Sequence, residues 1–301
     1  MRCRNLLAVL GALFMMLRAD ARAVQGAIVV VDDAGETVRL ARPARRIVSL
    51  APHVTEQLFA AGAGARIVGA VEYSDYPREA KLIPRVGDNR AIDVERVLAM
   101  KPDLIVVWFH GNVARQIEQI RSLGLPVYYS QPRTIEDIAR GLEHMGTLAG
   151  TEKIATEAAR GFRERVRRLR ERYGTLEPVP VFYEIWNRPL YTVNGEHLIS
   201  DVLRLCGGRN VFAELRVLAP TVTQEAVLKA DPVAIIASGM ARARPEWLDD
   251  WKAWPDLQAA KLGNLFSIDS DLINRNGPRL AEGARQICEM LDLARTRKLR
   301  R

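Results

Sequence analysis

Few residues in this chain have the type and spacing for covalent chemistry. The four histidines, His53, His110, His144 and His197, are scattered, and no His-Glu-x-x-His or comparable metal-ligand spacing occurs. His53 and His110 each follow a strand-like run and can face a cleft, whereas His144 reads as a helix-surface residue. Gly62-Ala63-Gly64 is the nearest approach to a dinucleotide loop, but it closes a helix instead of opening one, and Ile67 stands where a third glycine belongs. A Walker loop and a Gly-x-Ser-x-Gly elbow are both absent. The chain offers recognition instead. Tyr73, Trp108, Trp186 and Tyr191 lie at or just beyond strand-like runs, two in each half, where facing rings would hold a large flat molecule by burying its area. Core packing is the competing account for each ring singly, and the better one for Trp247, Trp251 and Trp254, which recur at helical spacing. Glu95 and Glu225 each open a helix. They are either helix-dipole partners or exposed anions for the arginines of another protein.

The elements that must position these residues alternate between short apolar strands and helices. Strand-like runs fall at 28–31, 37–40, 46–50, 67–71, 104–108 and 126–130, and again at 179–185, 233–237 and 265–268. Helical patterns lie between them, at 93–100, 113–123 (with Asn112 as cap), 134–149, 198–205, 225–230, 245–254 and 279–293, and one helix opens after Pro52. Such alternation predicts an α/β fold with parallel sheets covered on both faces, and ligands then gather at the carboxyl ends of the strands. The two halves rhyme. In 93–107 and 223–237 a glutamate precedes by seven residues a proline that opens a buried strand. Between the halves, 151–173 reads as one highly charged helix, with Thr151 as its cap, Gly174 as its stop and a stripe of Ile154, Ala158, Phe162, Val166 and Leu169. The layout is two related lobes, 24–150 and 175–301, joined by a rigid helix at 151–174, with a cleft between them suited to a small molecule.

The 301 residues carry 48% hydrophobic and 27% charged side chains, which excludes a disordered or membrane-spanning chain. Arg2 and Arg4, the apolar run 6–17 and Ala21-Arg22-Ala23 form a secretory signal, 1–23, with cleavage expected after Ala23 and export to the periplasm. The leader holds three of the eight net positive charges, and five cations lie in the last seven residues. The basic balance therefore does not argue for nucleic acid. Beyond the leader, Cys206 and Cys288 are the remaining cysteines, either a single disulfide or two buried thiols.

The segments VEYSDYP (71–77), DVERVLAMKPDLIVVW (93–108) with Gly111-Asn112, LCGGRNVF (205–212) and SDLINRNGPRL (270–280) resemble the periplasmic cobalamin-binding proteins of vitamin B12 ABC importers. More broadly they resemble the class III binding proteins, which also carry ferric siderophores and haem. The likeness runs in order over nearly the whole exported chain. It implies two Rossmann-like lobes bridged by one long helix. It implies ligand contacts at Tyr73, Trp108 and the stretch Asp271, Leu272, Ile273, Asn274 and Arg275. The chain departs from the family pattern at Asn89 and Ala219, where relatives carry further cleft tryptophans, and Trp186 is the candidate from this chain's own strand ends to compensate. It also implies transporter docking through Glu95 and Glu225 and a Cys206–Cys288 disulfide.

The expectation is a monomeric, non-enzymatic binding protein that captures cobalamin or a related corrinoid, has no cofactor or resident metal, and delivers its cargo to an ABC permease dimer. A haem or ferric siderophore carrier is the alternative within the class. An exported enzyme or metal-insertion protein on the same fold is the alternative outside it.

Overall fold

The computed structural model describes residues 27–239 and 244–300; the expected leader, 1–23, lies outside them. Strands β1 (Ile28–Val31) and β2 (Thr37–Leu40) form the expected antiparallel hairpin. Next come β3 (Ile47–Ser49), α1 (Pro52–Ala60), β4 (Ile67–Ala70), α2 (Val94–Ala99), β5 (Leu104–Trp108), α3 (Ala114–Ser122), β6 (Val127–Ser130) and α4 (Ile135–Ala149). Helix α5 (Glu152–Tyr173) then leads to β7 (Val179–Glu184), β8 (Trp186–Asn187), β9 (Leu190–Tyr191), α6 (Leu198–Leu205), β10 (Gly208–Asn210), α7 (Gln224–Ala230) and β11 (Ala234–Ala237). A 3-10 helix (Glu246–Ala253) precedes α8 (Gln258–Lys261), β12 (Leu265–Ser267), α9 (Ser270–Ile273) and α10 (Leu280–Leu299).

The two large sheets are parallel and share one topology, β4-β3-β5-β6 and β10-β7-β11-β12. The sequence rhyme is carried into the backbone. Asp93 caps α2 by accepting from the Arg96 N–H, and Thr223 caps α7 by accepting from the Ala226 N–H. Each helix is followed by a left-handed non-glycine residue, Lys101 (φ 47°) and Asp231 (φ 43°), directly before the proline that starts the strand. Proline disfavours the helical conformation in the residue before it, so both helices must stop there.

Each sheet is buried on both faces. The outer face of the first packs under Val97, Ile117 and Ile120, and that of the second under Val227, Leu248 and Trp251. The inner faces belong to one continuous cluster that passes from Leu104 and Tyr128 through Phe162 and Val166 of α5 to Tyr183 and Ile236. With its 22 residues, α5 is about 33 Å long and joins the two lobes through core contacts.

The buried stripe of α5 is Ala155, Ala159, Phe162, Val166 and Tyr173, which corrects the sequence reading. Small residues lead it because α4 approaches closely: a Cβ on Gly146 would lie 2.2 Å from the Ala155 methyl. Ile154 is turned aside, 53% exposed, to lie over Gly62. Thr151 does not cap the helix; its hydroxyl donates to the Ala61 carbonyl at 2.7 Å and ties the spine to the first lobe. The tryptophan-rich segment is 3-10 helical. Trp251 is buried in it, Trp247 half-buried and Trp254 exposed, because a three-residue turn cannot keep all three on one face. His144 is half-buried, its Nδ1 2.9 Å from the Tyr128 hydroxyl, and is not the surface residue the sequence suggested.

Cys206, just after α6, is disulfide-bonded to Cys288 in α10, with Cα atoms 4.6 Å apart. The two-thiol alternative does not hold.

Candidate functional site

The carboxyl ends of both sheets turn towards a seam between the lobes, and the site is built there from loops that follow the strands. Arg275, just beyond α9, crosses it. Its Nη1 donates to Glu56 of α1 at 3.2 Å and to Asp75, in the loop after β4, at 2.7 Å, and its Nη2 lies 3.0 Å from Asp271. Arg279 adds a bidentate pair to Glu56 (2.9 and 2.6 Å) and stacks over the Tyr76 ring at 4.1 Å. The Glu56 side chain is only 2% exposed, so its charge is held by these two guanidinium groups and not by water. Burial raises the Asp75 carboxyl, but the hydrogen bond and charge of Arg275 outweigh it and hold that carboxyl below the ordinary range. Gln57 Nε2 donates across the same seam to the Asn276 carbonyl at 3.1 Å.

Trp108 ends β5 and lies half-buried on the first-lobe side. Its backbone N–H donates to Asn112 Oδ1 at 2.6 Å, while Asn112 Nδ2 donates to the Leu50 carbonyl at 2.9 Å. Asn112 thus fixes the ring's platform and does not cap α3, whose N-cap is Val113. Glycine is required at 111, where a Cβ would meet the indole at 1.7 Å. The ring meets His53 edge-on, centroids 5.7 Å apart, and its buried Nε1 has no hydrogen-bond partner among the described residues. Tyr73 is 75% exposed at a left-handed φ of 63°, a conformation costly for a bulky residue and characteristic of functional loops. That loop is held from below by the buried hydroxyls of Ser49, Thr55 and Ser74 (2.8 and 3.1 Å) and by Arg85 on the Ser74 carbonyl.

On the second lobe, Trp186 lies on the short β8–β9 hairpin, opposite Tyr191, with its Nε1 donating to the Arg188 carbonyl at 3.0 Å. Asn274 is exposed, and its amide reaches the Tyr183 hydroxyl (3.4 Å) and Ser238 Oγ (3.3 Å). Leu272 is half-buried. The Ile273 side chain is fully buried in the central core, unlike the rest of the expected contact stretch. A cavity of about 220 Å³ runs between the lobes beside this set, lined by His110, Arg133, His197 and Asn276 among others. His197 Nδ1 accepts from the Ile199 N–H and so caps α6. Among the described residues no group of three His, Cys, Asp or Glu side chains is arranged to hold a metal.

His53 is buried, with Nε2 unpartnered among the described residues, and burial assisted by the Arg275 charge lowers its pKa to about 4. The sign follows: the imidazole is neutral when folded and protonates more readily when unfolded. Its contribution is therefore intact above about pH 6.5 and is lost as pH falls towards 4, by up to about 1.4 kcal/mol per pH unit. Histidine NMR should show two imidazoles, His53 and His197, titrating near pH 4, burial lowering both; a His53 titration near 6.5 would contradict this burial.

Glu95 and Glu225 are exposed in the first turns of α2 and α7. Backbone N–H and Thr223 hydroxyl hydrogen bonds keep Glu225 ionised, below the ordinary range. Sequence reading missed Glu56, Gln57, Asp75 and Arg279. The available signal was the run of polar residues, Thr55, Glu56 and Gln57, in a short helix that follows a buried strand.

Residues 47–272 match the model of a family described as periplasmic binding protein. A vitamin B12-binding protein of Vibrio cholerae serotype O1 is 38% identical over 253 residues, 84% of this chain and 91% of that protein. The crystal structure of a periplasmic vitamin B12-binding protein of Vibrio cholerae superimposes with a TM-score of 0.78 at 36% identity, covering 84% of this chain and 98% of that one. A periplasmic haem-binding protein from Roseiflexus (TM-score 0.72, 19% identity, 83% and 99% covered) shares the fold alone.

Proposed function

Given that the chain belongs to the periplasmic binding protein family, a family of binders and not of enzymes, we propose that it carries a corrinoid, cobalamin itself or a close relative, in the interlobe cleft. What supports this reading is the set of aromatic residues at strand ends together with the polar bridge across the seam. Tyr73 and Trp108 belong to the first lobe and Trp186 to the second, and Arg275 joins Asp271 to Glu56 and Asp75. Flat apolar area is met by rings, and the amide arms of a corrin meet side chains that both donate and accept. Similarity to proteins named for vitamin B12 supports the same cargo.

Cyanocobalamin, haemin and a ferric siderophore, titrated separately while tryptophan fluorescence is followed, test the reading. Only the corrinoid should saturate, and saturation by haemin alone would move the protein to the haem carriers. Tyr73→Ala should weaken cobalamin binding about 5- to 150-fold, the equivalent of losing roughly 1–3 kcal/mol of aromatic contact. Because Tyr73 is exposed, Tm should be unchanged. Unaltered affinity would remove Tyr73 from the site.

Cargo release requires a partner, and we assign that contact to Glu95 and Glu225, one exposed carboxylate on each lobe at matched places in the repeat. They suit two copies of a permease subunit bearing arginines, in the periplasm, after removal of the leader. Glu95→Ala with Glu225→Ala should keep cobalamin affinity and lower transporter-dependent uptake up to about tenfold, the yield of two exposed ion pairs. Loss of ligand affinity in the double variant would refute the assignment.

A further inference from the structure

The second lobe carries another cavity, of about 310 Å³, between the end of β7, the β8–β9 hairpin, the start of α7 and the 3-10 helix Glu246–Ala253. Glu184, the last residue of β7, forms its floor and is 1% exposed. One carboxyl oxygen accepts from the Trp251 indole N–H at 2.8 Å, its only side-chain hydrogen bond among the described residues. Trp247 makes one wall, its ring edge-on to Trp186 with centroids 6.4 Å apart. Asp250 and Arg188 stand at the mouth, where Arg188 reaches Asp250 only at 4.0 Å and is itself 84% exposed. Asn187 and Gln224 line the remainder.

A buried carboxylate facing a second carboxylate is unfavourable unless it takes a proton or a cation joins them, and no cation of the described chain reaches Glu184. Burial, with the Asp250 charge, raises the Glu184 pKa to about 8, against the lowering effect of the Trp251 hydrogen bond. Indole faces add attraction for a desolvated cation. We propose that this cavity binds an organic cation, a guanidinium or alkylammonium group, between the Trp247 ring and the carboxyl groups of Glu184 and Asp250. Entry of the cation ionises Glu184, so binding at neutral pH releases a proton. The other charged or polar groups facing Glu184 are Arg188 and Asn187 of the hairpin and Gln224 of α7, while Asp249, on the same 3-10 helix, is held by Arg244 and Lys252. The same chemistry could be supplied by a free cation or by an arginine side chain of a protein that meets the adjoining Glu225 surface.

Ethylguanidinium titrated into the purified protein, followed by calorimetry and tryptophan fluorescence at about pH 7 and about pH 9, tests the site. A guanidinium stays charged throughout, so binding should be about tenfold tighter at the higher pH. Glu184→Gln keeps an acceptor for Trp251, and so the fold; it should abolish the pH step and weaken binding at least tenfold at about pH 9. Trp247→Leu should weaken binding and keep the step. A capped glycyl-arginyl-glycine peptide separates the sources: equal affinity assigns the site to a protein side chain, rejection assigns it to a free cation. No saturable binding at about pH 9, or unchanged affinity in Glu184→Gln, overturns the proposal. Cobalamin titrated into the same samples reports on the cleft separately.

Discussion

Glu56→Ala is expected to destabilise the protein by about 3–5 kcal/mol, the range found when one partner of a buried ion pair is removed. Two guanidinium groups, on Arg275 and Arg279, converge on this carboxylate, and the substitution leaves Arg279 half-buried without its main counter-charge and removes one of three carboxylates from Arg275. Asp75 and Asp271 remain paired with Arg275, whereas Arg279 keeps the face of Tyr76 and the more distant charge of Asp271. Urea titration should show the midpoint fall with the slope retained, since the same surface is exposed on unfolding. Glu56→Gln should fall between wild type and alanine, because the amide oxygen still accepts a hydrogen bond. An alanine variant within about 0.5 kcal/mol of wild type would mean that the seam is held by core contacts alone.

Cys206→Ala with Cys288→Ala is expected to cost about 4.5 kcal/mol. The bond closes a loop with a sequence separation of 82, and loop-closure entropy of the unfolded chain gives that magnitude. Arg295, from α10, also donates to the Cys206 and Gly207 carbonyls (2.7 and 2.9 Å), so the two helices stay docked without the bond. The double variant should therefore fold and bind cobalamin with unaltered affinity while melting lower. A melting temperature equal to wild type would show that the unfolded chain is already compact around these helices.

Much of the fold was legible in the sequence because the information is local. Runs such as LIVVW at 104–108 and AIIA at 234–237 are continuous apolar segments bounded by proline, and only a strand buried on both faces uses such a run. The repeat around Glu95 and Glu225 is a matched set of cap, first-turn carboxylate and proline, each acting within a few residues. Placement at strand ends singled out Tyr73 and Trp108, whereas Asp271 and Arg275 were reached through the resemblance alone. The β8–β9 hairpin and β10 went unseen because strands of two or three residues carry no measurable alternation.

What only the tertiary structure decided depends on contacts between distant residues. Glu56 lies 219 and 223 positions from its arginine partners, a separation over which no sequence spacing carries a signal. The face of α5 that is buried was settled by the close approach of α4, where Gly146 meets Ala155; hydrophobicity alone pointed to Ile154. Ile273 and Asn274 are neighbours in one contact stretch, yet the short helix α9 turns the first into the core and leaves the second exposed. The sequence determined which strands, helices and repeat this chain makes, because those follow from near-neighbour propensities and caps. Which side chains face the seam, and which charges meet there, followed only once two lobes were packed on one helix, since burial is a property of the packed whole.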